Sequence, residues 1–378
     1  MIDYDIAICG AGPAGMALAA LLVNRGADAA RIVLVDAKPL EHAMQDPRTL
    51  ALSYGSRQIL EQVGAWPIHA TAIHDIHVSR RGQFGRSMIT RDEHRLPALG
   101  YVTRYGAIVE ALGAVCNRLG IGALRPVRVS GSDEAADSVA LHLESEGQAA
   151  RLLRAAVVVQ AEGGLFGEQV DKAETRDYRQ TAIIAQVNTS APVAHRAYER
   201  FTNEGPLALL PQDDGYSLVW CARPASAQAL LALDDAAFLT KLGETFGERL
   251  GKFTHATRRL AFPLGLNAGV TGSARSVAIG NAAQTLHPVA GQGLNLGLRD
   301  AAELARVLAR GATPQALEQF AAQRRQDRKL TVRLTDTMAR IFANESALQP
   351  LLGLGLAAID VAAPARAVLA ELMMYGRR

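Results

Sequence analysis

The sequence predicts an α/β protein: a parallel-sheet, dinucleotide-binding domain interrupted by an inserted mixed β-sheet. Three observations carry this. A short apolar run near the N-terminus leads straight into G-x-G-x-x-G and an alanine-rich helical stretch. A second strand, glycine-rich turn and helix follow between Ser276 and Arg310. Between them, from Asp177 to Phe262, the chain turns to β-branched and aromatic runs bounded by turn residues.

The first element is "DYDIAICGAGPAGMALAALLVNRGADAARIVLVDAKP". Ile6 to Cys9 has the continuous apolar character of a buried parallel strand. Gly10 permits a tight turn, Gly12 lets the backbone approach a pyrophosphate, and Gly15 lets helix and strand pack closely. Ala14 lies in the same first turn. A helix N-terminus offers free N–H groups and positive dipole to phosphates. The helix pattern runs to about Gly26, and a second strand, Ile32 to Val35, ends on Asp36, placed to accept ribose hydroxyls. This is a complete Rossmann-like βαβ unit. The acid does not separate NAD from FAD.

The second element is "SARSVAIGNAAQTLHPVAGQGLNLGLRDAAELARVLARG". It reads as a strand from Ser276 to Ile279, a loop, and a helix from Gln292 or Gly293 to about Arg310. Leu294, Leu298, Ala301, Ala302 and Ala305 would form its apolar face. Gly291 and Gly293 would let the helix N-terminus touch a flat, electron-rich group, as around N1 of a reduced flavin. His287, followed by Pro288, is a candidate proton donor or substrate contact; a hydrogen-bonded structural histidine is the competing possibility.

Composition narrows the function class. Forty basic and 37 acidic residues leave a net charge of +3, which argues against a nucleic-acid partner. Cys9, Cys116 and Cys221 share no metal-like spacing and read as buried, reduced thiols of a cytoplasmic protein; no metal site is expected. The N-terminus lacks a signal peptide's basic start, and no apolar run spans a bilayer. Segment 235–246 has the pattern of an amphipathic helix. His74, His77, Arg80 and Arg81, in "HDIHVSRRGQFGRSMIT", read as alternating exposed residues on strands of the inserted sheet.

The two glycine-rich elements together resemble the aromatic-hydroxylase class of flavoprotein monooxygenases, and more closely its ubiquinone-biosynthesis hydroxylase family. Gly280, Ala282, Ala283, Pro288, Gly291, Gln292, Gly293, Asn295, Gly297 and Asp300 match that family's second motif. "DPRTLAL", "RFTNEGPLALLPQDDGYSLVW" and "FPLGL" match its other signatures, so the resemblance covers essentially the whole chain. It implies resident FAD, with Arg48, Arg104, Asn281, Gln292, Leu294 and Asn295 joining the glycines and Asp36 as cofactor-binding residues. It also implies NAD(P)H as a transient reductant without its own Rossmann domain, O2 as co-substrate, and hydroxylation of an aromatic, polyprenylated phenol.

This sequence departs from the family pattern at four places. Asn281 stands for the ribityl-binding Asp, Gln284 for a usual His, and Ala161-Glu162-Gly163 for A-D-G. Arg104-Tyr105 replace an acidic and a small polar residue. Two alternatives remain at this stage: a hydroxylase of a soluble aromatic compound, and a weakened flavoprotein acting as a binding or assembly subunit. The expected division assigns 1–73, 98–176 and 263–345 to the FAD-binding domain. It assigns 74–97 and 177–262 to the substrate sheet, and 346–378 to a C-terminal helical segment. That last, largely apolar segment reads either as helices packed against the FAD-binding domain or as a surface for a peripheral membrane or biosynthetic-complex contact.

Overall fold

The computed structural model describes residues 1–82, 86–162, 174–268, 272–285 and 292–325. From the N-terminus, β1 (Tyr4–Cys9), α1 (Pro13–Asn24) and β2 (Ile32–Val35) make the first parallel crossover. Next come α2 (Leu40–Met44), β3 (Thr49–Ser53), α3 (Tyr54–Gln62), β4 (Thr71–Ile73), β5 (Asp75–Arg80), β6 (Arg86–Thr90) and β7 (Gly100–Arg104). α4 (Tyr105–Arg118) leads to β8 (Gly122–Leu124), β9 (Arg128–Glu134), β10 (Val139–Glu144) and β11 (Arg151–Gln160). Then follow β12 (Glu174–Thr189), β13 (Arg196–Phe201), β14 (Pro206–Gln212), β15 (Gly215–Ala222), α5 (Pro224–Ala232), α6 (Asp235–Phe246), β16 (Phe253–Ala256) and β17 (Leu260–Ala268). β18 (Ser276–Ala278), β19 (Gln284–Thr285) and α7 (Gln292–Leu308) complete these elements.

Seven strands form the nucleotide-side sheet in the order β8-β2-β1-β11-β10-β9, and β18 pairs with the far end of β11. β8, β2, β1, β11 and β18 run parallel. Covered on both faces, β1 and β2 need apolar residues at every central position, which explains their unbroken runs. Ile6, Ile8, Ile32 and Leu34 face a core shared with α1, α4 and α7. Ala7, Cys9, Val33 and Val35 face the opposite way, packing with Val139, Leu141 and Leu153.

Nine strands form the second sheet, in the order β19-β17-β12-β15-β14-β13-β5-β6, with β16 on β12. One face carries Ile183, Leu207, Leu209, Leu218 and Trp220, and it is closed by Phe238, Leu242 and Phe246 of α6. The other face meets the three-stranded sheet β3-β7-β4 through Ala197 and Leu210 against Ile73 and Val102.

Two expectations need correction. His77 and Arg80 are each only 5% exposed, so they are not solvated strand residues. β5 lies inside the sheet, between β13 and β6, and His77 packs beside Tyr198 with ring centroids 5.6 Å apart. Desolvation, then Arg249, lowers the His77 pKa to about 4, which keeps the ring neutral near pH 7. The buried face of α7 is also broader than five residues, because Leu296 and Leu304 are buried beside Leu298, Ala301 and Ala305.

Candidate active site

The carboxyl ends of β1, β2, β11 and β18 lie together, the place where open α/β sheets bind ligands. Gly10 leaves β1 at φ +102°, and its N–H donates to the Val35 carbonyl at 2.7 Å. A Cβ on Gly15 would sit 2.0 Å from the Gly10 carbonyl oxygen, so helix and turn approach as only glycine allows. Gly12 is the N-cap of α1 and Pro13 follows it. Gly12 has no side chain to cap this end and no acid occupies its first turn, so among the described residues the N–H groups of Ala14 and Gly15 have no side-chain cap. Asp36 Oδ2 accepts the Ala11 N–H at 2.8 Å and Oδ1 accepts the Lys38 N–H at 2.9 Å. The carboxylate is thereby fixed beside the loop with lone pairs to spare for hydroxyls.

Two residues that the motif did not flag complete this loop. Arg125 donates to the Ala11 carbonyl and lies 3.9 Å from Asp36. A Cβ on Gly12 would stand 3.1 Å from Tyr105 Oη, which puts the phenol directly over the turn. The Arg48 guanidinium lies 4.9 Å from the Tyr105 ring centroid and pairs with Asp46 at 2.7 Å. Arg104 points elsewhere. Its side chain is 59% exposed and sits 3.8 Å from Asp213 in the β14–β15 turn. Glu162 follows β11 and keeps a solvent-facing edge. Even so, desolvation by the surrounding chain, then the Asp36 carboxylate, holds its carboxyl above the usual range.

The second glycine-rich element docks onto the first. Gly280 and Gly297 approach so closely that a Cβ on Gly297 would lie 3.2 Å from the Gly280 Cα and 3.5 Å from the Ala14 Cβ. Asn281 Oδ1 is 3.6 Å from where a Cβ on Gly293 would stand, so this amide lies at the first turn of α7. Leu294 is half-buried against the α1 core. Asn295 is buried and clamps β3: Oδ1 accepts the Ser53 N–H at 2.8 Å, and Nδ2 donates to the Ala51 carbonyl at 2.9 Å. Asp300, fully buried, accepts the Gly280 N–H at 3.2 Å and Arg324 Nε at 2.7 Å. Gln284 is buried, and its Nε2 has no hydrogen-bond partner among the described residues. Gln292 begins α7. His287, Pro288 and Gly291 lie outside the described residues.

A family profile described as an FAD binding domain matches residues 3–335. Ubiquinone hydroxylase UbiL of Rhodospirillum rubrum is 32% identical, covering 95% of this chain and 87% of that protein. The chain belongs to the FAD-dependent ubiquinone-hydroxylase family. The 3-demethoxyubiquinol 3-hydroxylase of Escherichia coli is 30% identical over 80% of this chain and 79% of its own length. Among solved structures, p-nitrophenol 4-monooxygenase PnpA from Pseudomonas putida superposes with a TM-score of 0.79 at 16% identity, covering all of both chains. PqsL from Pseudomonas aeruginosa, a probable FAD-dependent monooxygenase, gives 0.74 at 21% identity over 93% of this chain and 99% of its own. At such identities these two support the fold.

As a member of this hydroxylase family, the protein is an FAD-dependent monooxygenase, and NAD(P)H is the reductant typical of the family. The uncapped helix entry and the oriented Asp36 suit an adenosine diphosphate. Among the described residues, no helix is long and apolar enough to cross a membrane, and no cluster of His, Cys, Asp or Glu could hold a metal.

Proposed function

We propose that this protein hydroxylates the ring of a polyprenylated phenol, a reading supported by relatives named ubiquinone hydroxylase UbiL and 3-demethoxyubiquinol 3-hydroxylase. The observation that carries this is the docking of the two glycine-rich turns, Ala14 against Gly280 and Gly297, with Asn295 bonded to β3 and β3 in turn bonded through Thr49 to Gln212 of the nine-stranded sheet. The α1 N-terminus holds the pyrophosphate and Asp36 the adenosine ribose. Asn281 hydrogen-bonds a ribityl hydroxyl, and the first turn of α7, at Gly293 and Leu294, faces the isoalloxazine ring. Arg48, carried beside Tyr105, contributes positive charge near the cofactor. Bound FAD, reduced by NAD(P)H, supplies activation of O2 and delivery of one oxygen atom. The chain's own part is to orient the ring, exclude water and complement developing charge. A peripheral contact with lipid would bring so apolar a substrate within reach.

The test is NAD(P)H consumption by flavin-loaded protein with and without a prenylated phenol. Stimulation accompanied by a hydroxylated product is expected. A flavin-loaded protein that leaves every such phenol unchanged contradicts the proposal.

A further inference from the structure

The face of the nine-stranded sheet turned away from α5 and α6 carries an acid, Glu199, that has no hydrogen-bond or ion-pair partner among the described residues. Register fixes its row. Glu199 of β13 lies beside Val78 of β5 and Ala208 of β14, and the row continues through Val219, Ile184 and Leu260. All six residues are partly exposed, whereas Tyr198, Leu209, Leu218 and Ile183 on the opposite face are buried. The row therefore borders accessible space and is not packed shut. On either side along β13, Ala197 and Phe201 are apolar. This is also the face that meets the nucleotide side. Gln186 and Gln212 bond to each other at 2.7 Å, and Thr49 of β3 bonds Gln212 at 2.8 Å. The edge of the same sheet is completed by β19, from the second glycine-rich element.

Among the described residues, no donor or cation pairs with the Glu199 carboxylate. A carboxylate in such a setting is costly unless a ligand meets it. Desolvation alone pushes its pKa up to about 7. The same face also carries the buried Arg80 of β5, opposite Phe201, and Cys221 of β15, two residues beyond Val219, but Glu199's own row is otherwise apolar. An acid flanked in this way suits a ligand that is mostly hydrocarbon with one acidic hydroxyl.

We infer that Glu199 binds the phenolic hydroxyl of the substrate and acts as its proton acceptor during ring hydroxylation. The assignment rests on the hydroxylase activity proposed above. As the ring carbon forms its bond to the delivered oxygen atom, the phenolic O–H proton moves to Glu199 and its electron pair moves into the ring. Rearomatisation expels the ring C–H proton to solvent, and Glu199 returns its proton to the phenolic oxygen. The net reaction is unchanged: phenol, O2, NAD(P)H and a proton give the hydroxylated phenol, NAD(P)+ and water. A free phenol ionises near 10, so an acceptor that ionises near neutrality is matched to a partial transfer in the transition state.

The experiment uses FAD-loaded parent, Glu199→Gln and Glu199→Asp with 2-geranylphenol and its methyl ether. In the parent, kcat/KM for product formation should rise through an ionisation near pH 7. Glu199→Gln should lose at least about a hundredfold and become flat in that range, with unchanged FAD content, and Glu199→Asp should restore part of the loss. Binding of the methyl ether, read from the flavin spectrum, should not distinguish Glu199→Gln from the parent. Parent-like turnover and pH profile in Glu199→Gln would overturn the assignment. So would an equal loss of methyl-ether binding, which marks a structural role. If the flavin-loaded parent itself hydroxylates no phenol, the broader proposal fails, and this assignment fails with it.

Discussion

Arg324 Nε donates to Asp300 Oδ1 at 2.7 Å, in a pair whose carboxylate has no exposed surface. The other oxygen of Asp300 accepts the Gly280 N–H, so the pair fixes the turn that carries Asn281. Removing one partner of a buried ion pair leaves the other uncompensated, at about 3–5 kcal/mol. Asp300→Ala should therefore unfold at clearly lower urea and lose FAD on gel filtration. A parent-like urea midpoint would remove Asp300 from this role.

Asp36 should matter for affinity more than for folding. Its carboxylate orients the Ala11 N–H and is placed to receive ribose hydroxyls. Hydrogen bonds to charged groups are worth about 1.5–3 kcal/mol, so Asp36→Ala should weaken FAD roughly ten- to hundredfold by titration. Unchanged affinity with intact fold would place the adenosine elsewhere.

Asn281 is neutral at the first turn of a helix, where negative charge is favoured. Asn281→Asp should tighten FAD by up to about tenfold, a gain near 1.4 kcal/mol. Weaker binding would mean that the pocket has adapted to the amide.

Glu199 should also leave a mark on stability. Its folded pKa, about 7, lies above the ordinary carboxyl value. The folded state thus holds the proton more tightly. The resulting stability is complete below the ordinary value near 4.3 and is lost as pH rises to about 7. Glu199→Gln should raise the melting temperature at pH 8 more than at pH 5, by an amount corresponding to at most about 3 kcal/mol, reduced by its partial exposure. Equal shifts at both pH values would show that the carboxyl ionises normally.

The apolar stretch from Leu348 to Met374 lies outside the described residues. Basic residues near a bilayer add about 1 kcal/mol each, and the chain ends on Arg377 and Arg378. Full-length protein should co-sediment with anionic liposomes, and truncation after Leu348 should abolish this while keeping FAD. Equal sedimentation of both would refute a membrane role for the segment.

Much of the fold was legible because local rules carry it. The strand, glycine turn, helix and terminal acid from Tyr4 to Asp36 form one uninterrupted signal, and α7 shows its period directly. What escaped depends on tertiary pairing. Arg125 reaches the loop from 114 residues away, and Arg324 meets Asp300 across 24. His77 and Arg80 are polar residues of the kind an exposed strand carries, but the sequence cannot say that β13 and β6 flank them. Glu199 stayed hidden for the same reason. Only the register places five apolar neighbours in its row.

The most direct measurement of the central claim supplies flavin-loaded protein with NAD(P)H, a prenylated phenol and isotopically labelled O2, followed by mass spectrometry of the phenol. The expected result is a ring-hydroxylated product carrying one labelled oxygen atom. NAD(P)H oxidation that yields only hydrogen peroxide, with the phenol recovered intact whatever its prenyl length, would contradict it.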